Sequence, residues 1–203
     1  MNQPLPEPGR ILKKLRLARE WSLSQAAAQT GVSKAMLGQI ERGESSPTVA
    51  TLWKIATGFN VPFSLFFNEE AAPTEPLRSD RTCGRSQSVA MQASPLFPYD
   101  SQLGFDVLIV ELAAGALSES SAHERGVIEH VIVIEGELQL ATGAQWHTLK
   151  AGEGLRFQAD AAHSYRNDGA LPTRFYSLIH YPPDSRESPR EAAGSAPVTD
   201  LTQ

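Results

Sequence analysis

The sequence predicts a two-domain α + β chain in which a five-helix module precedes an antiparallel β sandwich or barrel. Three observations carry this. Apolar residues recur at helical spacing from Arg10 to Phe67, then give way to short strand-like runs bounded by Gly, Pro, Asn and Asp. Charge changes sign at the same place: residues 1–67 hold eight Lys/Arg against four Glu (+4), so of the chain's 18 basic and 23 acidic residues the remainder holds 10 and 19 (−9). Between the two parts, residues 68–88 lose large apolar side chains and gain prolines and scattered polar residues, which reads as a linker. At 203 residues, 41% hydrophobic and 20% charged, the chain has enough apolar material for packed cores, which excludes wholesale disorder.

Residues 1–9 contain three prolines and are expected to be a flexible N-terminus without a secretory signal. Ile11, Leu12, Leu15 and Leu17 make the stripe of a first helix over Arg10–Glu20. Ser22 reads as the N-cap of a second helix through Thr30, with Trp21 covering its start as a staple, and Gly31 and Val32 form the turn that follows. Ser33 caps a third helix over Lys34–Arg42, stopped by Gly43. Pro47 and Thr48 open a fourth, with Val49, Leu52, Trp53, Ile55 and Ala56 facing a core before Gly58. Asn60–Phe67 is read as a fifth, short, aromatic helix.

Beyond the linker, residues 89–182 contain strand-like runs at Phe105–Leu112, Glu129–Ile134, Glu137–Ala141, Gln145–Leu149, Gly154–Phe157 and Thr173–His180. Residues 183–203 have no periodicity and are expected to be disordered. The longest aliphatic runs have four residues, far below the roughly 20 that span a bilayer. The single cysteine, Cys83, cannot form an internal disulfide, so a reducing, cytoplasmic location without membrane attachment is expected.

Ser22–Arg42 has the parts of a helix-turn-helix: a second helix rich in Ala, a Gly-led turn, and a third helix with one buried and one exposed face. Ala26, Ala27, Val32, Leu37 and Ile40 form the inner set, leaving Ser33, Lys34, Ala35, Gly38 and Gln39 to project toward a major groove. Lys34 and Gln39 can donate to base edges, whereas Ala35 and Gly38 offer close approach or contact with a thymine methyl. The segments Trp-Ser-Leu-Ser-Gln-Ala-Ala-Ala-Gln-Thr-Gly-Val-Ser (21–33) and Leu-Gly-Gln-Ile-Glu-Arg-Gly-Glu-Ser-Ser-Pro-Thr (37–48) resemble the XRE family of lambda-repressor-like helix-turn-helix domains over about residues 10–67. The resemblance implies that Glu41 pairs with Arg16 to orient the recognition helix and that Ser22, Ser33, Lys34, Ala35, Gly38 and Gln39 lie at the DNA. It departs at Glu20, where the family usually has Gly, and at Leu23, where many members place a phosphate-binding Gln.

His123, Glu129 and His163 supply two imidazoles and a carboxylate, the donors of zinc, iron, nickel and manganese sites. Their surroundings, with Gly126, Gly136, Lys-Ala-Gly-Glu-Gly (150–154) and Asn167, resemble the cupin family of jelly-roll barrels over about residues 105–180. The resemblance implies an effector or divalent-metal site at His123, Glu129 and His163. It departs at Ser121, which stands where a first histidine is usual, in the His123–Glu129 spacing, and at Gln158-Ala159-Asp160. Arg156 and Tyr165 are further pocket candidates, and His130, one residue past Glu129, must face the opposite side of its strand.

The order helix-turn-helix, linker, cupin resembles the XRE-cupin transcription factors. Residues 33–42, 46–58, 94–100 and 123–131 resemble the enterobacterial sulfur-utilisation subgroup among them, which implies control of sulfur-acquisition genes. The expectation is a homodimeric, sequence-specific regulator without enzymatic activity, bound to a palindromic operator and responsive to a small-molecule effector. The alternatives are a metal-dependent cupin enzyme with an appended DNA-binding domain, and a cupin that serves only as a dimerisation scaffold.

Overall fold

The structure is a computed structural model and describes residues 8–67 and 90–182. The expected linker over 68–88, the tail over 183–203, residues 1–7 and Cys83 lie outside the described residues. No helix among the described residues is long and apolar enough to cross a membrane.

The N-terminal module contains four α-helices, α1 (Pro8–Ala18), α2 (Leu23–Thr30), α3 (Lys34–Glu41) and α4 (Val49–Gly58), followed by a 3-10 helix, Phe63–Phe67. The fifth α-helix expected over Asn60–Phe67 is therefore corrected. Asn60 takes a left-handed conformation with φ of 47°, and the five residues that remain close only a tight turn, with the Leu65 N–H on the Pro62 carbonyl at 3.2 Å. Pro8 and Gly9, expected in a flexible terminus, begin α1 instead. Proline suits a first helical position because its missing N–H has no intrahelical partner there. Gly9 lies against α3, where a Cβ would come within 1.9 Å of the Ile40 carbonyl oxygen, so only glycine permits this crossing. Helix α1 also stops earlier than expected, and Glu20 follows it with φ of 55°, the backbone conformation for which the family's usual glycine is suited.

The caps expected from sequence form. Ser22 Oγ accepts from the Gln25 N–H at 3.2 Å while Gln25 Oε1 accepts from the Ser22 N–H at 2.8 Å. Gly31 closes α2 with φ of 65°, and Ser33 Oγ accepts from the Met36 N–H at 3.2 Å. Leu12, Ala26, Leu37, Ile40, Leu52 and Phe59 are buried between the helices.

The C-terminal module contains nine strands: β1 (Met91–Asp100), β2 (Phe105–Leu112), β3 (Leu117–Ser120), β4 (Ile128–Glu135), β5 (Glu137–Thr142), β6 (Gln145–Lys150), β7 (Gly154–Gln158), β8 (His163–Arg166) and β9 (Thr173–His180). They form a five-stranded sheet, β1-β2-β9-β4-β7, facing a four-stranded sheet, β3-β8-β5-β6, with every pairing antiparallel. Three strands were absent from the expected set. β1 carries Pro95 and Pro98, which an edge strand tolerates because one side of its ladder is unpaired. β3 (Leu-Ser-Glu-Ser) and β8 (His-Ser-Tyr-Arg) have four residues each and little apolar alternation, because they border a polar interior.

The two modules meet directly. Ser64 in the 3-10 helix donates its N–H to Asp106 Oδ2 at 3.2 Å and accepts from the Tyr99 N–H through its hydroxyl at 2.9 Å. The Phe63 N–H donates to the Tyr181 hydroxyl at 3.2 Å, and Asn60 Nδ2 donates to Glu124 Oε1 at 3.0 Å. Helix α4 packs on β3 and β1.

Within the helical module, Arg16 joins three segments. Its Nε and Nη2 donate to the two Glu41 carboxylate oxygens at 2.6 and 2.9 Å, and its Nη1 donates to the Trp21 carbonyl at 2.8 Å. The two side chains are only 13% and 7% exposed. Removing the guanidinium strands a nearly buried carboxylate and a main-chain acceptor. Arg16→Ala is expected to destabilise the helical module by about 3 kcal/mol, read by denaturant unfolding; a loss below about 1 kcal/mol would make the pair a surface contact.

Candidate functional site

The exposed face of α3 presents Lys34, Ala35 and Gln39, preceded by the exposed Ser33. Gly38, expected on that face, is buried instead: a Cβ there would sit 3.1 Å from Arg42 Nη1 and 3.7 Å from Leu23 Cδ1. Its place is the contact between α2 and α3. Met36, 37% exposed, is a further apolar side chain on α3 that the sequence reading did not single out. Ser22 caps α2, and its hydroxyl proton remains available to a phosphate oxygen while its oxygen accepts from Gln25. The helix thus offers one cationic and one amide side chain flanked by short ones, the requirement for close approach to base edges.

The second site lies inside the barrel. Glu129 on β4 and His163 on β8 face each other from opposite sheets, and His123 reaches in from the loop between β3 and β4. One donor atom from each lies within 4.8 Å of the other two, and both imidazole Nε2 atoms are 3.7 Å from Glu129 Oε2. The other carboxylate oxygen is occupied, since the Tyr165 hydroxyl donates to Oε1 at 2.6 Å and the Ser177 hydroxyl at 2.7 Å. His163 Nδ1 lies 3.0 Å from the Ala161 carbonyl, so it carries the proton and leaves Nε2 as a lone pair. That Nε2 is buried with no hydrogen-bond partner among the described residues.

Burial alone would raise the Glu129 carboxyl, but the facing His123 and His163 imidazoles and the Tyr165 hydroxyl outweigh it and hold the group below the ordinary carboxylate range. Burial moves His163 below the usual histidine value, against the opposing pull of the Glu129 carboxylate. Burial, reinforced by the Glu129 charge, pushes the Tyr165 phenol well up, so it remains a donor. Glu129 Oε2 and the Nε2 atoms of His123 and His163 face the same point. A divalent ion about 2.1 Å from each donor requires donor pairs about 3.4 Å apart, close to the spacing found. The donor set fits such an ion.

The structure brings together His123, Glu129, His163 and Tyr165 as the sequence reading expected. Arg156 does not join them: it is exposed on the outer side of β7, paired with His130, and is corrected to a surface residue. Ser121 is exposed and outside the pocket, while Ser118 and Ser120 line it. Ser177 and Trp53 were missed as pocket residues. Alternation along Thr173–His180 puts Ser177 inward and carried that signal, whereas Trp53 belongs to the other module and was expected in its helical core. Trp53 is stacked on Phe63 at 4.3 Å and lies against His123 at 4.7 Å between ring centroids, closing the pocket together with Ala50.

Residues 12–66 match the helix-turn-helix family and residues 108–179 match the cupin domain family. The HTH-type transcriptional regulator SutR of Escherichia coli (strain K12) is 57% identical over 171 residues, covering 84% of this chain and 93% of that protein. The HTH-type transcriptional regulator PuuR of the same strain is 27% identical over 84% of this chain and 92% of its own length. A solved structure, an HTH_3 family transcriptional regulator from Vibrio cholerae, superposes with a TM-score of 0.75 at 42% identity over 87% of this chain and 96% of its own. The chain therefore belongs to the transcriptional regulators that join an XRE-type helix-turn-helix domain to a C-terminal cupin domain.

Proposed function

We propose that the protein binds a palindromic operator as a homodimer, reads bases through Lys34, Ala35 and Gln39, and answers to a divalent cation or small effector held by His123, Glu129 and His163. The observation that carries the reading is the buried His163 Nε2, which has no hydrogen-bond partner among the described residues and lies 3.7 Å from Glu129 Oε2, in the same chain as an exposed recognition helix. An ion held there would supply a charge and open coordination positions to anchor an effector's oxygen or sulfur donors. The regulator reading is preferred to that of an enzyme because two relatives that match over 84% of this chain carry regulator names. Control of sulfur-acquisition genes belongs to the same proposal and rests on the sequence resemblance; the genes next to recovered operators decide it.

Dimerisation is assigned to the outer face of the five-stranded sheet. Ile109, Tyr176 and Ile132 stand in one register row across β2, β9 and β4, with Ile132 46% and Ile134 39% exposed. A second copy is the occupant that fits, because two half-sites demand two recognition helices and an apolar face is complementary to itself across a two-fold axis.

Four outcomes test this. Selection of duplexes from a random pool is expected to yield a two-fold motif, and Gln39→Ala is expected to relax one position per half-site at a cost of about 1 to 3 kcal/mol. An equal loss on all sequences would remove Gln39 from base reading. His163→Ala is expected to abolish uptake of Zn2+ while leaving the metal-free protein's operator affinity unchanged; retained stoichiometric uptake would remove His163 from the ligand set. Ile132→Lys is expected to give folded monomers in sedimentation velocity, whereas an intact dimer would move the interface elsewhere.

A further inference from the structure

The regulator reading leaves open how the barrel interior reaches the recognition helix, and the pocket wall supplies the route. One wall belongs to the DNA-binding module: Ala50 and Trp53 of α4 face Glu129, Tyr165 and Ser177 across the cavity. With α4 docked, the space left beside the triad is enough for an ion or a water molecule.

The three donors are not held equally. Glu129 Oε1 is fixed by Tyr165 and Ser177, and His163 is fixed through Nδ1 at the Ala161 carbonyl. His123 lies in the loop between β3 and β4, where its main-chain N–H is held by the Ala159 carbonyl at 2.8 Å and its ring packs against Trp53 and His163. Closing donors that lie up to 4.8 Å apart onto one ion needs pairs about 3.4 Å apart, and the least anchored ring must supply the movement. That ring is His123, and Trp53 is packed on it. Trp53 also stacks on Phe63, the residue whose N–H bonds to the Tyr181 hydroxyl of the barrel. Leu52, Ile55 and Ala56 fix the same helix in the module's buried core, where α4 packs on α2 and α2 on the recognition helix.

We propose that α4 is the lid of the cupin pocket and that Trp53 couples divalent-cation occupancy of the triad to the seating of the DNA-binding module. The inference rests on the reading of His123, Glu129 and His163 as a cation site. Ion binding draws His123 toward Glu129, removes the surface on which Trp53 rests, and shifts α4 with the helices packed on it. Because binding free energies are linked, operator DNA must change cation affinity by the factor with which the cation changes operator affinity.

The test uses the full chain, Zn2+ as the probe, and an operator duplex recovered from the random pool. Zn2+ stoichiometry and affinity are measured with and without operator, and operator affinity with Zn2+ and with chelator. For the wild type, a reciprocal change of about 5- to 150-fold is expected. Trp53→Ala is expected to bind Zn2+ in the same stoichiometry with the factor reduced to near one, and Trp53→Phe to retain most of it. Should Trp53→Ala not fold, Asn60→Gly serves: it deletes the bond to Glu124, glycine accepts the φ of 47°, and a reduced factor is again expected. A wild-type protein that takes up no Zn2+ overturns the cation-site reading and this inference with it. Zn2+ uptake with no coupling in the wild type, or with coupling unchanged in the Trp53→Ala or Asn60→Gly protein, overturns the inference alone.

Discussion

A carboxylate buried inside a β barrel governs the arrangement around it. Glu129 is 2% exposed, and leaving it ionised there costs several kcal/mol unless its surroundings answer the charge. Two hydroxyls reach one oxygen from β8 and β9, and two imidazoles face the other from β8 and the β3–β4 loop. These polar groups sit in an otherwise apolar interior, with Leu108, Val110 and Phe175 lining the same pocket and Ile179 paired with Glu129 across the strands. Ala50 and Trp53 of α4 line that pocket too, so the DNA-binding module lies over the charge that organises this part of the barrel.

The junction between modules is itself polar and specific. Asp106 is fully buried and accepts from Ser64 of the 3-10 helix, and the Tyr181 hydroxyl lies 3.4 Å from the same carboxylate oxygen. Phe63 and Phe66 seal the helical core on one side of this group, and Tyr99 packs edge-on to Tyr181 on the other. A flat apolar contact would let the modules slide; a buried carboxylate with directional donors fixes one register, because any other leaves the charge unanswered. Repositioning α4 must therefore work against a defined seat, which is what a two-state response needs.

Most of the helical module was legible in the sequence because its signals are local. Ser22, Gly31, Ser33 and Thr48 each set a helix boundary within a few residues, and the structure keeps all of them. What failed there depends on contacts distant in sequence. Gly9 is required by Ile40, and Gly38 is covered by Leu23 and Arg42, neither of which a linear pattern reveals. In the barrel, His123, Glu129 and His163 were legible from their donor types and the family resemblance, and Tyr165 only as a candidate on a nearby strand. Arg156 failed by parity, since it pairs with His130, which faces outward, rather than with Glu129. Trp53 was legible as an apolar position on α4 but not as a pocket wall, because helical periodicity carries no information on which of two modules a side chain will touch.

The recognition face sets a limit that explains the rest of the architecture. Helix α3 has eight residues, and of its exposed side chains only Lys34 and Gln39 carry groups able to donate to base edges. Each good contact is worth about 1 to 3 kcal/mol of discrimination, too little for one module to find its site among the many competing sequences of a genome. A second copy doubles the contacts and adds a spacing requirement between half-sites, so discrimination comes to depend on how the two modules are held. In the proposed homodimer an effector would have no need to touch the recognition helix. A small rotation of α4 on the barrel would change the distance between the two α3 helices, and the rigid spacing of the DNA grooves would convert that change into affinity.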